Sequence, residues 1–284
     1  MKGLSISRSG FIILIAGSFL LSACRSSDPL RHPTTSATLW IQNSAEYQAL
    51  SLSVYNTAAG YLERALKDSY WTAHLPQKNK NIRALPPAII LDVDETVLDN
   101  SAYQARMIKK NSSFDPEAWN RWVREEKAEA VPGAVAFLQR AAQKGVAIFY
   151  LTNREAAVEE STRRNLKKRG FPLAENEDRI LTKHEREGWT SQKVERRAYV
   201  AAKYRIIMLF GDNLNDFIPA TNITQEEREE LVGKHSDMWG IKWFILPNPT
   251  YGSWESALYN FNDDLSTSEI QRLKSTKLDT KQQN

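Results

Sequence analysis

Four short apolar runs constrain this chain most: "AIILDV" (88–93), "VAIFYL" (146–151), "RIIMLF" (205–210) and "WFIL" (243–246). Their hydrophobicity is continuous rather than alternating, which suits strands covered on both faces. Polar, helix-forming stretches such as 154–169 and 191–203 separate them. Strands alternating with helices indicate a parallel sheet. The expected fold class is therefore α/β, a doubly wound, Rossmann-like parallel sheet. In such a sheet the C-terminal strand ends share one edge, where ligands bind. Behind the four runs come Asp92-Val93-Asp94, "TNR" (152–154), "GDNLND" (211–216) and "PNPTYGSW" (247–254). Segments 120 residues apart thus converge on one edge with a crowd of carboxylates. Like charges so close need a metal ion, a chemical task or plain solvation to offset them.

The N-terminus reads as an address. Lys2 and Arg8 precede the eleven-residue apolar core "FIILIAGSFLL" (11–21), a length suited to a signal peptide and too short for comfortable spanning. "LSAC" (21–24) looks like a bacterial lipobox, which implies acylation at Cys24 and a membrane attachment through that lipid. Arg25 stands where an inner-membrane retention signal carries Asp, which favours the outer membrane of a Gram-negative-type bacterium. Cys24 is the single cysteine, so an intramolecular disulfide and a cysteine metal site are excluded. The net charge of +4, less Lys2 and Arg8, leaves about +2 on the mature chain, no profile for a nucleic acid polymer. The expected organisation is a signal peptide (1–23), a Ser/Pro/Thr-rich tether (24–36), a helical segment packed on the core (37–83), the α/β domain that holds the four runs (84–262) and a C-terminal helix or tail (263–284). A helical stripe Tyr47, Leu50, Val54, Ala58, Tyr61 behind Ser44 as N-cap opens the helical segment. Oligomeric state stays open, a homodimer being one option.

"DVDET" on a first strand, Thr152 ending a second, a lysine on a helix and "GDNLND" after a later strand resemble the haloacid dehalogenase (HAD) superfamily of phosphohydrolases. With "DVDETVLDN", "LTNR" and "LPNPTYGSWE" behind a lipobox, the chain looks like the bacterial class C acid phosphatases, outer-membrane lipoproteins that dephosphorylate 5′-nucleotides. The residue chemistry agrees. A carboxylate attacking a phosphomonoester dianion needs a cation between them. Asp92 would attack phosphorus and form an aspartyl-phosphate, while Asp94 protonates the leaving oxygen and later takes a proton from water. Mg²⁺ would be held by Asp92, the main-chain carbonyl of Asp94 and Asp212, with Asp216 holding a metal-bound water or orienting the lysine. Thr152 can donate to a phosphoryl oxygen, with Asn153 beside it as a substrate contact. Two lysines compete for the stabilising role, Lys183 and Lys193. The family places its lysine at the start of the helix before the Asp212 strand, which points to Lys193.

The resemblance further implies that Trp119 and Tyr251 clasp a nucleoside base, with Asn100 near the ligand. The opposing view makes Trp119 and Trp122 the core face of a helix. Glu95 and Asp99 read as caps or partners for backbone N–H groups, and His32, His74, His184 and His235 as surface or capping residues. The expected function is a Mg²⁺-dependent acid phosphatase hydrolysing phosphomonoesters, 5′-nucleotides foremost, through an aspartyl-phosphate. Its alternatives are a phosphotransferase and a non-catalytic surface lipoprotein that binds haem or a metabolite.

Overall fold

The computed structural model describes residues 32–262 and 264–281; the signal segment, Cys24 and most of the tether lie outside the described residues. Two N-terminal helices, α1 (Thr35–Asn43) and α2 (Ala45–Lys67), meet at Ser44, whose hydroxyl accepts the Tyr47 N–H at 3.0 Å. The cap read from the sequence is thus in place. Helix α1 begins inside the span read as tether. The buried stripe of α2 is Tyr47, Ser51, Tyr55, Ala58, Leu62 and Ala65, rotated from the expected one, and Leu50 is exposed. Tyr55 accounts for the rotation. Its ring stacks on Phe210 at 5.4 Å, and its hydroxyl donates to the Thr96 carbonyl at 2.6 Å. Ser51 fits the same face because its hydroxyl returns to the Tyr47 carbonyl.

The chain then runs β1 (Pro87–Leu91), β2 (Leu98–Asp99), α3 (Ser101–Lys110), α4 (Pro116–Arg124), β3 (Glu129–Ala130), α5 (Ala134–Gln143), β4 (Ala147–Glu155), α6 (Glu159–Lys168) and β5 (Ile180–Lys183). It continues with α7 (Val194–Ala201), β6 (Arg205–Gly211), α8 (Gln225–Lys234), β7 (Trp243–Ile245), α9 (Ser253–Ala257) and α10 (Thr267–Thr276). Strands β5-β4-β1-β6-β7 form a parallel sheet in that order, and β2 pairs antiparallel with β3 outside it. All four apolar runs are strands of this sheet. Ile89, Leu91, Ile148, Tyr150 and Phe210 face α2 and α5, whereas Ala88, Ile90, Phe149, Leu151 and Leu209 face Trp189, Val200 and Trp243. Alternate residues therefore enter opposite cores, which is why every position had to be apolar. Among the described residues no helix is long and apolar enough to cross a membrane.

Candidate active site

The first residue beyond β1 is held by its neighbour, since the Asp92 N–H donates to the Phe210 carbonyl at 3.0 Å. Glu95 then turns the chain with φ of 58°, a conformation that costs a side-chain-bearing residue energy and recurs at functional turns. Its carboxylate accepts the Asn100 N–H at 3.0 Å and the Tyr251 hydroxyl, while Asp99 accepts the Ser101 N–H at 2.7 Å. Burial, with Asp94 adding to it, pushes Glu95 up to about 8.

Lys193 stands at the start of α7, and its ammonium contacts Asp92 and, at 2.6 Å, Asp216. Burial alone would lower this lysine, but Asp216 and Asp92 outweigh it and hold the proton more firmly than usual. Lys183 points elsewhere, pairing with Glu155 at 2.8 Å. Asp216 folds back beneath the end of β6, accepting the Asn213 N–H at 2.9 Å. A Cβ at residue 211 would collide with this carboxylate, so the position needs glycine. Asp212 accepts the Asn248 amide at 2.8 Å.

Asp94 is fixed differently. Arg154, 1% exposed, reaches its Oδ1 through Nη2 at 2.8 Å and Nε at 3.0 Å, and Asn100 donates to the same oxygen at 2.9 Å. Oδ2 receives longer contacts, 3.3 Å from Arg154 and 3.4 Å from the Thr152 hydroxyl. Asn100 is fully buried beneath Asp94, its own carbonyl accepting the Trp122 indole at 2.9 Å, so its contacts are with the acid rather than with the cavity. Thr152 is buried as well. Asn153 is exposed, held by Arg196 at 2.6 Å and by the Ser191 carbonyl at 3.0 Å.

Above these groups opens a cavity of about 950 Å³ whose wall includes Asp92, Asp94, Asp212, Asn153, Trp119 and Tyr251. Helix α4 divides its two tryptophans. Trp122 is buried in the core, and Trp119 lies at the cavity wall, edge-on to Tyr103 at 5.0 Å with the Arg154 guanidinium 5.6 Å from its ring. None of the four histidines lines up with the carboxylates. His74, read as surface or capping, is buried at the head of a 3₁₀ turn, and burial lowers it to about 4.

Residues 29–254 match the family described as HAD superfamily, subfamily IIIB (acid phosphatase). The chain belongs to that family. It is similar in structure to the class C acid phosphatase of Bacillus anthracis, with 35% identity, a TM-score of 0.76, and 89% of this chain and 99% of that one covered. A second structure of the Bacillus enzyme, with tungstate bound, superposes with the same TM-score at 33% identity. Acid phosphatase 1 of Solanum lycopersicum is 26% identical over 168 residues, 57% of each chain, so the match spans little more than half of that relative.

Subfamily IIIB enzymes are phosphoric monoester hydrolases, and HAD phosphatases work with a divalent metal. The donor set here fits one. Asp92, Asp212 and Asp216 bring carboxylate oxygens within 4.8 Å of one another, an all-oxygen array suited to a hard cation. Burial raises Asp92 to about 7 and Asp212 well above the ordinary carboxylate range; Lys193 offsets part of this at Asp92, and the neighbouring aspartates add to it at both. Of the four carboxylates on the floor, Lys193 contacts Asp92 and Asp216 and Arg154 contacts Asp94, while Asp212 is met by the neutral Asn248 amide, so four negative groups share two cations. A dication would restore neutrality. The carboxylate of Asp94 is outside the three-residue cluster, bound to Arg154.

Sequence reasoning gave no role to Arg154, Arg196 or Asn248. The readable signal was an arginine in "LTNR" directly behind an apolar run, where a charge that cannot be solvated must find a carboxylate.

Proposed function

We propose that this acid phosphatase is Mg²⁺-dependent, hydrolyses 5′-nucleotides through an aspartyl-phosphate on Asp92, and is lipid-anchored through Cys24 at the outer membrane. One observation carries the mechanism: the two aspartates of "DVD" have opposite partners, Asp92 against Lys193 and Asp94 against Arg154 and Asn100. Neighbouring carboxylates with different surroundings are suited to different tasks.

In the first step an Asp92 oxygen bonds to phosphorus as the ester oxygen leaves, and Asp94 gives that oxygen its proton. Oδ2 is the edge of Asp94 suited to carry this proton, because Oδ1 takes the close Arg154 and Asn100 contacts. In the second step Asp94 takes a proton from water as the water oxygen bonds to phosphorus, releasing phosphate and free Asp92. Lys193 and Asn153, which line the cavity, are the groups assigned to the phosphoryl oxygens. When bound, Mg²⁺ would supply positive charge between the Asp92 carboxylate and the phosphate dianion. The Bacillus enzyme has a structure with tungstate bound, a tetrahedral oxyanion like phosphate. The nucleotide reading rests on Trp119 and Tyr251 at the cavity wall.

The deciding assay is phosphate release from a panel of mononucleotides and sugar phosphates, with Mg²⁺ and with EDTA. Nucleotides should lead and EDTA should silence the enzyme. Sugar phosphates turned over equally well would remove the nucleotide assignment, and undiminished activity in EDTA would remove the metal.

A further inference from the structure

The family match ends at residue 254, yet the catalytic cavity is walled further along the chain. Thr267, Ile270, Gln271 and Lys274 of α10 line it, spaced 3, 1 and 3 apart, so one stripe of that helix faces the cavity. Helix α10 buries no residue, and its N-terminal capping box is satisfied internally by Ser266 and Glu269. Among the described residues its one hydrogen-bonded tie to the rest of the protein is Lys274 to Glu255, each about a fifth exposed. Glu255 lies on α9, in the segment that directly follows Tyr251. The helix is therefore formed by its own local signals and held over the cavity by a single latch.

We propose that α10 is a specificity element, a roof latched by Lys274–Glu255 that confines the part of the substrate remote from the phosphate. It restricts the enzyme to compact phosphomonoesters. A cavity of about 950 Å³ lies at the upper end of small-ligand sites and accommodates a mononucleotide. A polymer carrying the same terminal phosphate needs an open groove, which the roof denies it. The inference rests on the phosphatase reading of the site and adds an element to it.

The test uses the full chain with Lys274→Glu, Glu255→Lys and the double exchange. It compares a 5′-mononucleotide with a 5′-phosphorylated tetranucleotide, each value divided by the same variant's turnover of p-nitrophenyl phosphate. Either single reversal replaces attraction by repulsion and should raise the tetranucleotide-to-mononucleotide ratio of kcat/KM roughly two- to fivefold, the scale of a part-exposed ion pair. The double exchange rebuilds the latch with inverted polarity and should return the ratio to the original. A ratio unmoved by both single reversals, or not restored by the double exchange, would overturn the roof. The same ratio taken as Kd by calorimetry reads the roof without turnover. Absent turnover of p-nitrophenyl phosphate would instead strike the phosphatase reading.

Discussion

Replacing Arg154 with methionine keeps the aliphatic bulk of a buried side chain but removes the guanidinium that orients Asp94. Its three contacts to Asp94 are lost, at 2.8, 3.0 and 3.3 Å, leaving Asn100 and the distant Thr152 hydroxyl to hold the carboxylate. Asp94 remains chemically intact, so the expected loss lies at the low end of the roughly 10²–10⁴-fold attributed to a whole acid–base group. A displacement of about 1 Å at a reacting group costs about 100-fold. We therefore expect kcat/KM for a 5′-nucleotide to fall about 100-fold, because its ribose oxygen must be protonated to leave. p-Nitrophenyl phosphate needs little protonation and should fall less than about tenfold. Using kcat/KM avoids masking by slow hydrolysis of the aspartyl-phosphate. Arg154→Lys should lie between, retaining charge without the two-pronged geometry. Thermal unfolding checks that the variant folds. Equal losses on both substrates would show that Arg154 serves the fold alone and that its grip on Asp94 has no part in leaving-group protonation.

Three further outcomes follow from the same geometry. Gly211→Ala should push Asp216 from its place, costing about 1–3 kcal/mol and raising the Mg²⁺ concentration for half-maximal activity; an unchanged metal titration would separate Asp216 from the metal. Trp119→Ala or Tyr251→Ala should remove about 1–3 kcal/mol of stacking, a roughly five- to hundredfold loss in kcat/KM for a nucleotide, with glycerol phosphate spared; parallel losses on both would make the two rings structural. Folded Asp92 keeps its proton to about pH 7 in the metal-free protein, whereas an unfolded aspartate releases it near 3.9. The unfolded state thus holds fewer protons between about pH 4 and 7, so stability without metal should fall as pH rises through that range. Melting temperatures in EDTA should show this decline, and Mg²⁺ should flatten it; a metal-free protein that gains stability over the same range would contradict the burial of Asp92.

Four of the sheet's strands were readable because each contains a continuous apolar run that is almost entirely buried. Strand β5 was missed: only Ile180 and Leu181 are apolar before Thr182 and Lys183, and it is an edge strand pairing with β4 alone. The α2 stripe came out rotated because Ser51 faces inward with its hydroxyl returned to its own helix, while Leu50 faces out. Periodicity assigns such residues by polarity, and here polarity is misleading. At the site, strand ends brought Asp92, Asp94, Asp212 and Asp216 to one floor, as the topology requires. Spacing could not separate Trp119 from Trp122, three apart on one helix. What separates them is Asn100, whose carbonyl takes the Trp122 indole and holds it in the core. Nor could spacing choose between Lys183 and Lys193; Glu155 draws the first away, and Asp92 and Asp216 draw the second in.

The central claim is that Asp92 becomes phosphorylated, and it can be examined on the protein directly. The enzyme is mixed with Mg²⁺ and a 5′-nucleotide, quenched in acid within a single turnover, digested and analysed by mass spectrometry. The account predicts a hydroxylamine-labile phosphoryl group on the peptide containing Asp92, appearing before free phosphate and absent from Asp92→Asn, which should release no phosphate. Phosphate release at the original rate from Asp92→Asn, with no label on that peptide, would contradict it.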